Sequence, residues 1–503
     1  MPDTSFIVIR NGRLLDIAGH RADPADLLIA GDTIRGIGPP GLAAPDGARV
    51  IDASDRLLMP GLVNGHMHGH GALAKGLIKD HWTLELFLNS SPSIGGNRTL
   101  ADKYLCGMIN AVEMIRKGST ACYDLFFEFP VPSIEGICEL GRGYREVGVR
   151  ATIAPMIADM TLYQALPGLM DAIPDEHRDG VARFRLAKPD ETLAACRKVF
   201  AAWPFDRDAI RPAIAPTIPL HCSDDFMRGC RDLAREFDLP LQTHLAESKG
   251  QAVLGRRKYG KTLTAHIDEL DLIGPNFSAA HAIWVDADDL DRIARKGGSV
   301  VHNPMSNMRF GSGLAHLRPM RDRGINVGIG TDGINTSDSL NMFEATRLAS
   351  FISRVQDPDY KTWLSTHEVL AMATAGSARA LGFGDTIGHL KPGAKADVVF
   401  VDLAHIHYVP LGDAVDQIVF TESGAAVDSV MVGGRMVLEH GTITTIDERK
   451  LRRDAERAVE RLQAANAQNR AFALKLEDVV DTFCMGLCRS PYHVNRWACD
   501  PIG

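Results

Sequence analysis

Two histidines separated by one residue, His66 and His68, end a short apolar run that begins at Pro60. In a β-strand, residues two apart point to the same side, so this spacing aims both imidazoles in one direction. Two neutral imidazoles side by side are half of a typical binding site for a transition metal. Because such pairs also occur by chance on protein surfaces, the pair predicts a metal site only if other residues supply the remaining ligands.

The composition is that of an ordinary globular protein and excludes several classes of function. Of the 503 residues, 45% are hydrophobic and 23% are charged, which argues against extensive disorder. The formal charge of −8 gives no basic surface of the kind that binds nucleic acid or an anionic membrane. There is no long apolar run that could span a membrane, and residues 1–5 lack the pattern of a signal peptide. We therefore expect a cytoplasmic protein that binds neither nucleic acid nor a membrane.

Cysteines are scattered along the chain, and their number, nine, is odd. Reduced thiols in a reducing compartment explain this better than a framework of disulfides. Near the C-terminus, four soft ligands would suffice to hold a second, structural zinc ion: Cys484, Cys488, His493 and Cys499. Their spacing matches no common zinc finger, so we favour a packed tail with reduced thiols.

Eight apolar segments between residues 61 and 331 have the length and composition of β-strands, and helical patterns separate them. The predicted strands are 61–65, 119–124, 149–155, 211–216, 240–244, 276–281, 299–303 and 326–331. Strands that are apolar on both faces and alternate with helices are typical of a parallel (β/α)8 barrel of the TIM type, in the α/β class. A doubly wound open sheet is the alternative.

The two ends of the chain have a different sequence pattern from the central part. Short β segments occupy residues 6–58, and β segments return after residue 390. Neither set buries enough surface alone, so we expect both to form one small β-sandwich beside the barrel. A helical pattern over residues 447–476 predicts a helix that packs on the barrel or on a second subunit. The predicted division is 1–59 and 391–446 for the β-sandwich, 60–390 for the barrel, and 447–503 for the C-terminal helix and tail.

Active sites of such barrels lie at the C-terminal ends of the strands, and polar residues accumulate there in this sequence. They are His66 and His68 after strand 1, His244 after strand 5, His281 after strand 6, His302 after strand 7 and Asp332 after strand 8. With only 18 histidines in 503 residues, this agreement between strands is not a coincidence. Three imidazoles and a carboxylate suit one divalent ion, Zn2+ or Fe2+, with a position open for water.

A bound metal would lower the pKa of that water to about 7 and so make hydroxide available at neutral pH. Glu247 follows His244 by three residues, in the segment His-Leu-Ala-Glu. A carboxyl group beside the activated water can carry a proton to a substrate nitrogen, which is general acid/base catalysis.

Taken in order, these motifs resemble the amidohydrolase superfamily, and in particular its ATZ/TRZ-like branch. That branch includes guanine, S-adenosylhomocysteine and 8-oxoguanine deaminases and the triazine hydrolases. The resemblance extends from about residue 6 to residue 445 and is carried by residues 61–68, 243–247, 281 and 330–333. It implies the barrel, a β-sandwich built from both chain ends and a site for a single metal ion.

The resemblance also implies a role for each residue. His66, His68, His244 and Asp332 match the metal ligands, and Asp332 also matches the group that accepts a proton from the nucleophilic water. His281 matches the strand 6 histidine that orients hydroxide or substrate. Glu247 matches the acid that delivers a proton to a ring nitrogen. The segment 211–216 in strand 4 has no lysine that could bridge two metal ions, which disfavours a binuclear site.

Deamination of a nitrogen heterocycle is therefore the leading prediction, by attack of a metal-bound hydroxide and loss of ammonia. The heterocycle is a purine, pterin, pyrimidine or triazine. Chlorohydrolases of this branch tend to lack an acid at the position of Glu247, and expelling ammonia needs a proton that expelling chloride does not. Hydrolysis of a cyclic amide or dechlorination on the same site is the alternative, and a catalytically inactive scaffold is a third reading.

Contacts to the heterocyclic substrate are expected from residues that flank the strand ends. The candidates are His70, Trp82, Arg150, His302 and Asn307. Four of them also have a structural reading: His70 and Trp82 as scaffold, His302 as a contact between loops and Arg150 as part of an ion pair. The long connection between strands 3 and 4 has the length of a lid. A barrel of this kind also predicts a homodimer or a higher homo-oligomer.

Overall fold

In a computed structural model, which describes residues 5–498, eight parallel strands form the centre of the protein. Barrel strands 1 to 8 are Leu62–Met67, Ser119–Phe127, Arg150–Ile157, Ile210–Pro212 with Ala215–Pro216, Leu241–Leu245, Phe277–His281, Ser299–His302 and Asn326–Ile329. Almost all of their residues are buried, as parallel strands require when both faces are covered by other elements.

The eight strands form two parallel half-sheets that meet at two seams. Barrel strands 1 to 4 pair in sequence order, and so do barrel strands 5 to 8. At one seam, Ile214 and Leu241 form a parallel bridge. At the other seam, the backbone N–H of Asp332 donates to the carbonyl of His66 over 3.0 Å. The predicted (β/α)8 barrel is confirmed.

The seam between barrel strands 8 and 1 explains why Asn64, Gly330 and Thr331 occur in the sequence motifs. A Cβ atom at Gly330 would lie 2.7 Å from the backbone nitrogen of His66, so only glycine fits there. Asn64 and Thr331 exchange hydrogen bonds of 2.7 and 3.0 Å across the same seam. This packing brings Asp332 next to His66.

Helices separate the strands, and serine side chains begin several of them. Ser133, Ser223 and Ser248 each accept a hydrogen bond from the backbone N–H three residues later, which caps the following helix. The longer helices are Leu84–Gly95, Leu100–Arg116, Ile134–Val147, Pro189–Ala201, Asp224–Glu236, Lys249–Tyr259, Ala287–Lys296, Met342–Gln356, Glu448–Ala465 and Ala467–Cys488. Shorter ones are Leu162–Ala165, Leu169–Ala172, Asp175–Val181, Leu263–Glu269, Pro304–Arg309, Leu317–Asp322, Thr366–Ala371, Ser377–Ala380 and Ala414–Phe420.

Both chain ends contribute strands to one sheet beside the barrel. Antiparallel pairing of Arg56–Pro60 with Val398–Asp402 joins the N-terminal part to the C-terminal part. The nine strands are Phe6–Asp16, Arg21–Ala30, Thr33–Gly38, Arg49–Asp52, Arg56–Pro60, Val398–Asp402, Val427–Val432, Arg435–Glu439 and Thr442–Ile443. They share a hydrophobic core that is separate from the barrel core. The prediction of one small β-domain from both chain ends is confirmed.

The C-terminal region differs from its prediction. Instead of one helix over residues 447–476, there are two, Glu448–Ala465 and Ala467–Cys488, which meet at Asn466. The Asn466 side chain donates to the carbonyl of Gly96 over 3.1 Å and accepts from Asn97 over 2.9 Å. These contacts to a distant loop hold the chain where one helix ends and the next begins.

The cysteines within residues 5–498 are all free thiols. Cys484 and Cys488 lie on the last helix, whereas His493 donates from Nε2 to Asp286 over 2.7 Å. Cys499, the fourth ligand of the zinc alternative, lies outside the described residues. Within the described range, no helix is long and apolar enough to cross a membrane.

Arg150 connects the barrel to the sheet. It is buried at the start of barrel strand 3, and its guanidinium donates to both carboxylate oxygens of Asp397 over 2.8 and 3.1 Å. A third hydrogen bond, of 2.6 Å, reaches the carbonyl of Asp208. Asp397 immediately precedes the sheet strand Val398–Asp402, so this ion pair ties the two domains together.

Replacing Arg150 with methionine should destabilise the protein by about 3–5 kcal/mol, because the buried carboxylate of Asp397 loses its counter-charge. Urea unfolding followed by circular dichroism measures the change. Arg142→Met is the matched control, since Arg142 pairs with Glu139 and Glu146 at partly exposed positions, where a lost pair costs below about 1 kcal/mol. Equal effects of the two substitutions would contradict this role of Arg150.

Candidate active site

Six of the predicted site residues converge at the C-terminal end of the barrel. Ligand atoms lie within 4.8 Å of one another in three overlapping groups: His66, His244 and His281; His66, His68 and Asp332; and Glu247, His281 and Asp332. All six residues are buried, and the most accessible of them, His68, is only 8% exposed. They form one cluster at which four barrel strands meet.

The side chains of the cluster face a common point. The rings of His68 and His244 are stacked with 5.1 Å between centroids, and their Nε2 atoms are 3.0 Å apart. One carboxylate oxygen of Asp332 lies 3.3 Å from Nε2 of His68 and 3.6 Å from Nε2 of His66. Three imidazole nitrogens and a carboxylate oxygen therefore surround a space of atomic size.

The opposite nitrogen of each ring is held by a hydrogen-bond acceptor. Nδ1 of His68 donates to the carbonyl of Leu125 over 2.9 Å, and Nδ1 of His244 donates to the carbonyl of Thr217 over 2.6 Å. Because a carbonyl can only accept, both rings carry their hydrogen on Nδ1 and keep a lone pair on Nε2.

Gln242 does the same for His66. Its Oε1 accepts from Nδ1 of His66 over 2.6 Å. The orientation of the Gln242 amide is fixed, because its Nε2 donates to the carbonyl of Gly65 over 3.3 Å and to the hydroxyl of Ser278 over 2.9 Å. His66 therefore also presents an Nε2 lone pair to the cluster, and that atom has no hydrogen-bond partner among residues 5–498.

This arrangement fits a divalent metal ion. Two lone pairs 3.0 Å apart, on His68 and His244, repel each other unless they share a cation. The buried Nε2 of His66 also requires a partner. One divalent ion would satisfy all three nitrogens and the carboxylate. Burial lowers the pKa of His68 to about 4, which keeps this ring neutral, as a metal ligand must be.

The backbone bends sharply where three strands reach the cluster. Ala246, His281 and Asp332 have left-handed conformations, with φ of 46°, 69° and 61°. Non-glycine residues adopt such angles at a cost of about 1 kcal/mol or more, typically at functional sites. The bends turn the residues that follow each strand across the barrel mouth.

Two buried acids of opposite character stand in the cluster. Burial raises the pKa of Glu247 well above its usual range, and the nearby acids Asp332 and Glu85 act in the same direction. Burial also opposes the ionisation of Asp332, but the surrounding histidines, His66 first, hold its pKa well below its usual range. The surroundings therefore favour the protonated form of Glu247 and the ionised form of Asp332.

His281 links Glu247 to barrel strand 7. Its Nδ1 lies 3.8 Å from Oε1 of Glu247 and donates to Oδ1 of Asn307 over 2.7 Å. Its Nε2 is buried and, among the residues that the structure describes, has no hydrogen-bond partner. Asn307 thus positions the ring of His281, and the ring nitrogen that faces the cluster remains available.

His70 and His302 also lie near the cluster. The ring of His70 is 5.3 Å from that of His68, and its Nδ1 accepts from the backbone N–H of Phe127 over 3.2 Å, so Nε2 is a donor. His302 is fully buried, and neither of its ring nitrogens finds a hydrogen-bond partner within the described chain. Burial lowers the pKa of His302 to about 3, so the ring is neutral.

Two other predicted substrate contacts are engaged by the scaffold. The indole N–H of Trp82 donates to Glu477 of the last helix over 3.1 Å. Arg150 is paired with Asp397, at the start of its strand and not at the end that carries the cluster. The structure does not bring either residue into the cluster, and we do not propose that they contact substrate.

Sequence reasoning missed Gln242 and Asp124. Gln242 lies two residues before His244 on barrel strand 5, and this period of two was the signal that it shares a face with the ligand. Asp124 accepts from the backbone N–H of Gly69 over 2.6 Å and from the Tyr144 hydroxyl over 2.8 Å. It therefore fixes the turn that follows His68.

Comparison with known proteins identifies the family. The amidohydrolase family, as described by its sequence model, matches residues 57–437. This protein belongs to the amidohydrolase family. A 5-methylthioadenosine/S-adenosylhomocysteine deaminase from Syntrophobacter fumaroxidans is 30% identical over 446 residues, which cover 88% of this chain and 94% of that protein. The chain is accordingly a hydrolase that acts on carbon–nitrogen bonds, with a site for a divalent metal ion.

Solved structures of amidohydrolases share the fold. An adenosine deaminase from Xanthomonas campestris with bound zinc has a TM-score of 0.81 at 26% identity, covering 92% of this chain and all (100%) of that one. An atrazine chlorohydrolase from Arthrobacter aurescens, in complex with zinc and atraton, has a TM-score of 0.80 at 23% identity, with 90% and 100% covered. The second likeness, at its low identity, shows the fold alone.

Replacing Gln242 with leucine should weaken zinc binding about 10- to 100-fold, because Nδ1 of His66 loses the acceptor that orients the ring. Competition with a chelator of known affinity measures the dissociation constant. Gln417→Leu is the matched control, since the Gln417 amide donates to the carbonyls of His407 and Pro410 in the sheet domain. Unchanged zinc affinity in the Gln242 variant would show that the hydrogen bond does not orient a ligand.

Proposed function

We propose that the protein is a metal-dependent deaminase of adenine nucleosides, which replaces the amino group of the ring by oxygen and releases ammonia. The observation that carries this proposal is the placement of two buried acids, Glu247 and Asp332, in one cluster with the imidazoles of His66, His68, His244 and His281. The substrate class is supported by the relative named for 5-methylthioadenosine and S-adenosylhomocysteine and by the structural neighbour named for adenosine.

The proposed ligands of one divalent ion per chain are His66, His68, His244 and Asp332. Zinc is the proposed ion, supported by the zinc bound in the related adenosine deaminase, and Fe2+ is the alternative. When bound, such an ion lowers the pKa of a water molecule to about 7 and supplies a nucleophile at neutral pH.

The protein's own groups move the protons. Asp332 is ionised and accepts a proton from the attacking water. Glu247 is protonated and donates to the ring nitrogen next to the amino-bearing carbon, which makes that carbon more electrophilic. His281, held by Asn307, presents its free Nε2 to the water or the substrate. The proton held by Asp332 then passes to the amino group, which leaves as ammonia. The remaining hydroxyl proton returns to Glu247, so the ring nitrogen keeps the proton that Glu247 donated.

The remaining candidates near the cluster are proposed substrate contacts. His70 offers an N–H, and His302 offers both a donor and an acceptor nitrogen in a buried position. Unpaired buried polar groups each cost about 1–3 kcal/mol, so a heterocycle that pairs with His302 gains that energy on binding.

Ammonia release from zinc-loaded enzyme tests the function. Adenosine, 5-methylthioadenosine and S-adenosylhomocysteine form the first panel, and guanine, a pterin, cytosine and an aminotriazine form the second. We expect stoichiometric ammonia from members of the first panel. Ammonia from the second panel alone would show that the substrate is a heterocycle other than an adenine nucleoside. Turnover of a cyclic amide or a chlorotriazine, with ammonia from neither panel, would overturn deamination.

Replacing Glu247 with glutamine should lower kcat about 10²- to 10⁴-fold, because the amide cannot donate an acidic proton to the ring nitrogen. The metal content should stay at that of the wild type, since Glu247 is not among the proposed ligands. Parallel assays of ammonia and of metal by atomic absorption measure both. Glu236→Gln, at an exposed helix position, is the control. Wild-type kcat in the Glu247 variant would remove its proposed role.

Other reactions of the same site remain as second candidates. Cyclic amide hydrolysis and dechlorination need the same metal and the same ionised acid. A catalytically inactive scaffold would lack metal, whereas the proposal requires one ion per chain. Cell fractionation and light scattering test the predicted cytoplasmic location and homo-oligomer.

A further inference from the structure

The last helix and the tail behind it cross the C-terminal face of the barrel. We call residues 467–497 the C-terminal segment. Its helix packs on Leu84–Gly95, the helix that follows barrel strand 1, where the Asn89 side chain donates to the carbonyl of Ala473 over 3.0 Å. Lys79 and Glu477 add an ion pair of 2.8 Å. The C-terminal segment therefore covers the loop that follows His66 and His68.

The same helix covers the long connection after barrel strand 3. The ring of Phe472 packs on His177 and Phe184 with centroid distances of 6.0 and 5.8 Å. This connection, whose length predicted a lid, is thus packed against the C-terminal segment.

The end of the helix reaches the turn that carries Glu247. A Cβ atom at Gly250 would lie 3.9 Å from Cβ of Leu487, so the two backbones are in close contact. Gly250 lies in the first turn of the helix Lys249–Tyr259, directly after Glu247 and its neighbour Ser248.

The tail then ties the loops after barrel strands 6 and 7 together. The guanidinium of Arg496 donates to the carbonyls of Ile283 and Val285 over 2.9 and 2.6 Å. The carbonyl of Arg496 accepts from the backbone N–H of Leu314 over 2.7 Å. One residue of the tail thus connects two loops that leave the cluster.

Trp497 lies where three of these loops meet. Its ring is 5.1 Å from that of Trp284, and Nζ of Lys249 stands 4.8 Å from its centre. Its indole N–H donates to the carbonyl of Gly311 over 3.3 Å. In the sequence, Trp284 and Lys249 closely follow two residues of the cluster, His281 and Glu247. Gly311 closely follows Asn307, which positions the ring of His281.

We infer that the C-terminal segment forms the outer wall of the substrate site and selects substrates by the size of the group farthest from the reacting carbon. This inference rests on the proposed function. The amino-bearing carbon must reach a cluster whose six residues are at most 8% exposed, at the inner end of the barrel mouth. The rest of the substrate must then extend outward, toward the loops that Trp497 joins. A long substituent on the ribose meets the wall, and a short one does not.

The C-terminal segment lies outside the residues that the family model matches. That match ends at residue 437, and the C-terminal segment begins thirty residues later, at residue 467. The match therefore includes the barrel and the proposed ligands and does not include the covering element.

Trp497→Ala tests the wall through its effect on the preference between a long and a short substrate. The ratio compares kcat/KM for S-adenosylhomocysteine, with its long substituent, to kcat/KM for 5-methylthioadenosine, with its short one. We expect the ratio to rise about tenfold, the effect of relieving a clash in an apolar pocket. Partial unfolding does not change it, because both substrates meet the same folded molecules. Trp497→Phe, which keeps an aromatic ring, should restore the wild-type ratio.

Trp203→Ala is the matched control, since the Trp203 indole also donates to a backbone carbonyl, that of Ile210, but at the N-terminal end of barrel strand 4. It should leave the ratio unchanged. An equal ratio in the wild type and the Trp497→Ala variant would contradict the inference that the C-terminal segment limits the size of the substrate.

Zinc removal separates this inference from the proposed function. If the wild type releases ammonia from no nucleoside, the proposed function fails. The wall is then tested by the rate of zinc removal. This rate is measured with a bulky chelator and with a small one, dipicolinate. Trp497→Ala should speed removal by the bulky chelator several-fold and removal by dipicolinate little. Equal acceleration for both chelators, or none, would overturn the wall without reference to turnover.

Discussion

Repulsion between buried imidazole lone pairs is the interaction on which the rest of this site depends. Backbone carbonyls hold Nδ1 of His68 and His244, and a fixed amide holds Nδ1 of His66. Each of these hydrogen bonds is favourable on its own, but together they orient three Nε2 lone pairs toward one point beside a carboxylate. Without a cation this arrangement is unfavourable, and unpaired buried groups each cost about 1–3 kcal/mol. The barrel backbone therefore preorganises a site that fits a divalent cation, and the close packing at Gly330 brings Asp332, the proposed fourth ligand, next to His66.

The two acids show how one environment produces two protonation states. Both Glu247 and Asp332 are buried, and burial alone would keep both neutral. The contacts with His66 and His68 lower the pKa of Asp332, whereas Glu247 stands beside other acids, which raise its pKa. A donor and an acceptor of protons therefore share one small site at neutral pH. That combination suits a reaction in which water loses a proton on one side while a nitrogen gains one on the other.

Much of the barrel and most of the cluster could be predicted from the sequence, because the information is local. The ends of Ser119–Phe127 and Asn326–Ile329 differ by only a few residues from the predicted strands, since apolar runs and turn residues mark them. Strand ends meet at one face of a barrel, so His66, His244 and Asp332 could be grouped without coordinates. Arg150 could not be interpreted in this way, because its partner Asp397 lies 247 positions away. The break at Asn466 likewise depends on contacts to a remote loop.

In the proposed enzyme, substrate choice and chemistry depend on different residues. The histidines and acids of the cluster lie at or just after strand ends, which the barrel fixes, whereas the loops beyond them pack against the C-terminal segment. Substrate choice and chemistry are nevertheless coupled, because both depend on how much water reaches the cluster. Burial is the first cause of the raised pKa of Glu247, and the segment that packs beside Gly250 helps to keep water away from that carboxyl group. A wider mouth would admit larger substrates and also more water, which favours the ionised acid. Under the inference drawn above, selectivity and the protonation of Glu247 depend on the same covering element, so widening the substrate range at this wall would also weaken the proposed proton donor.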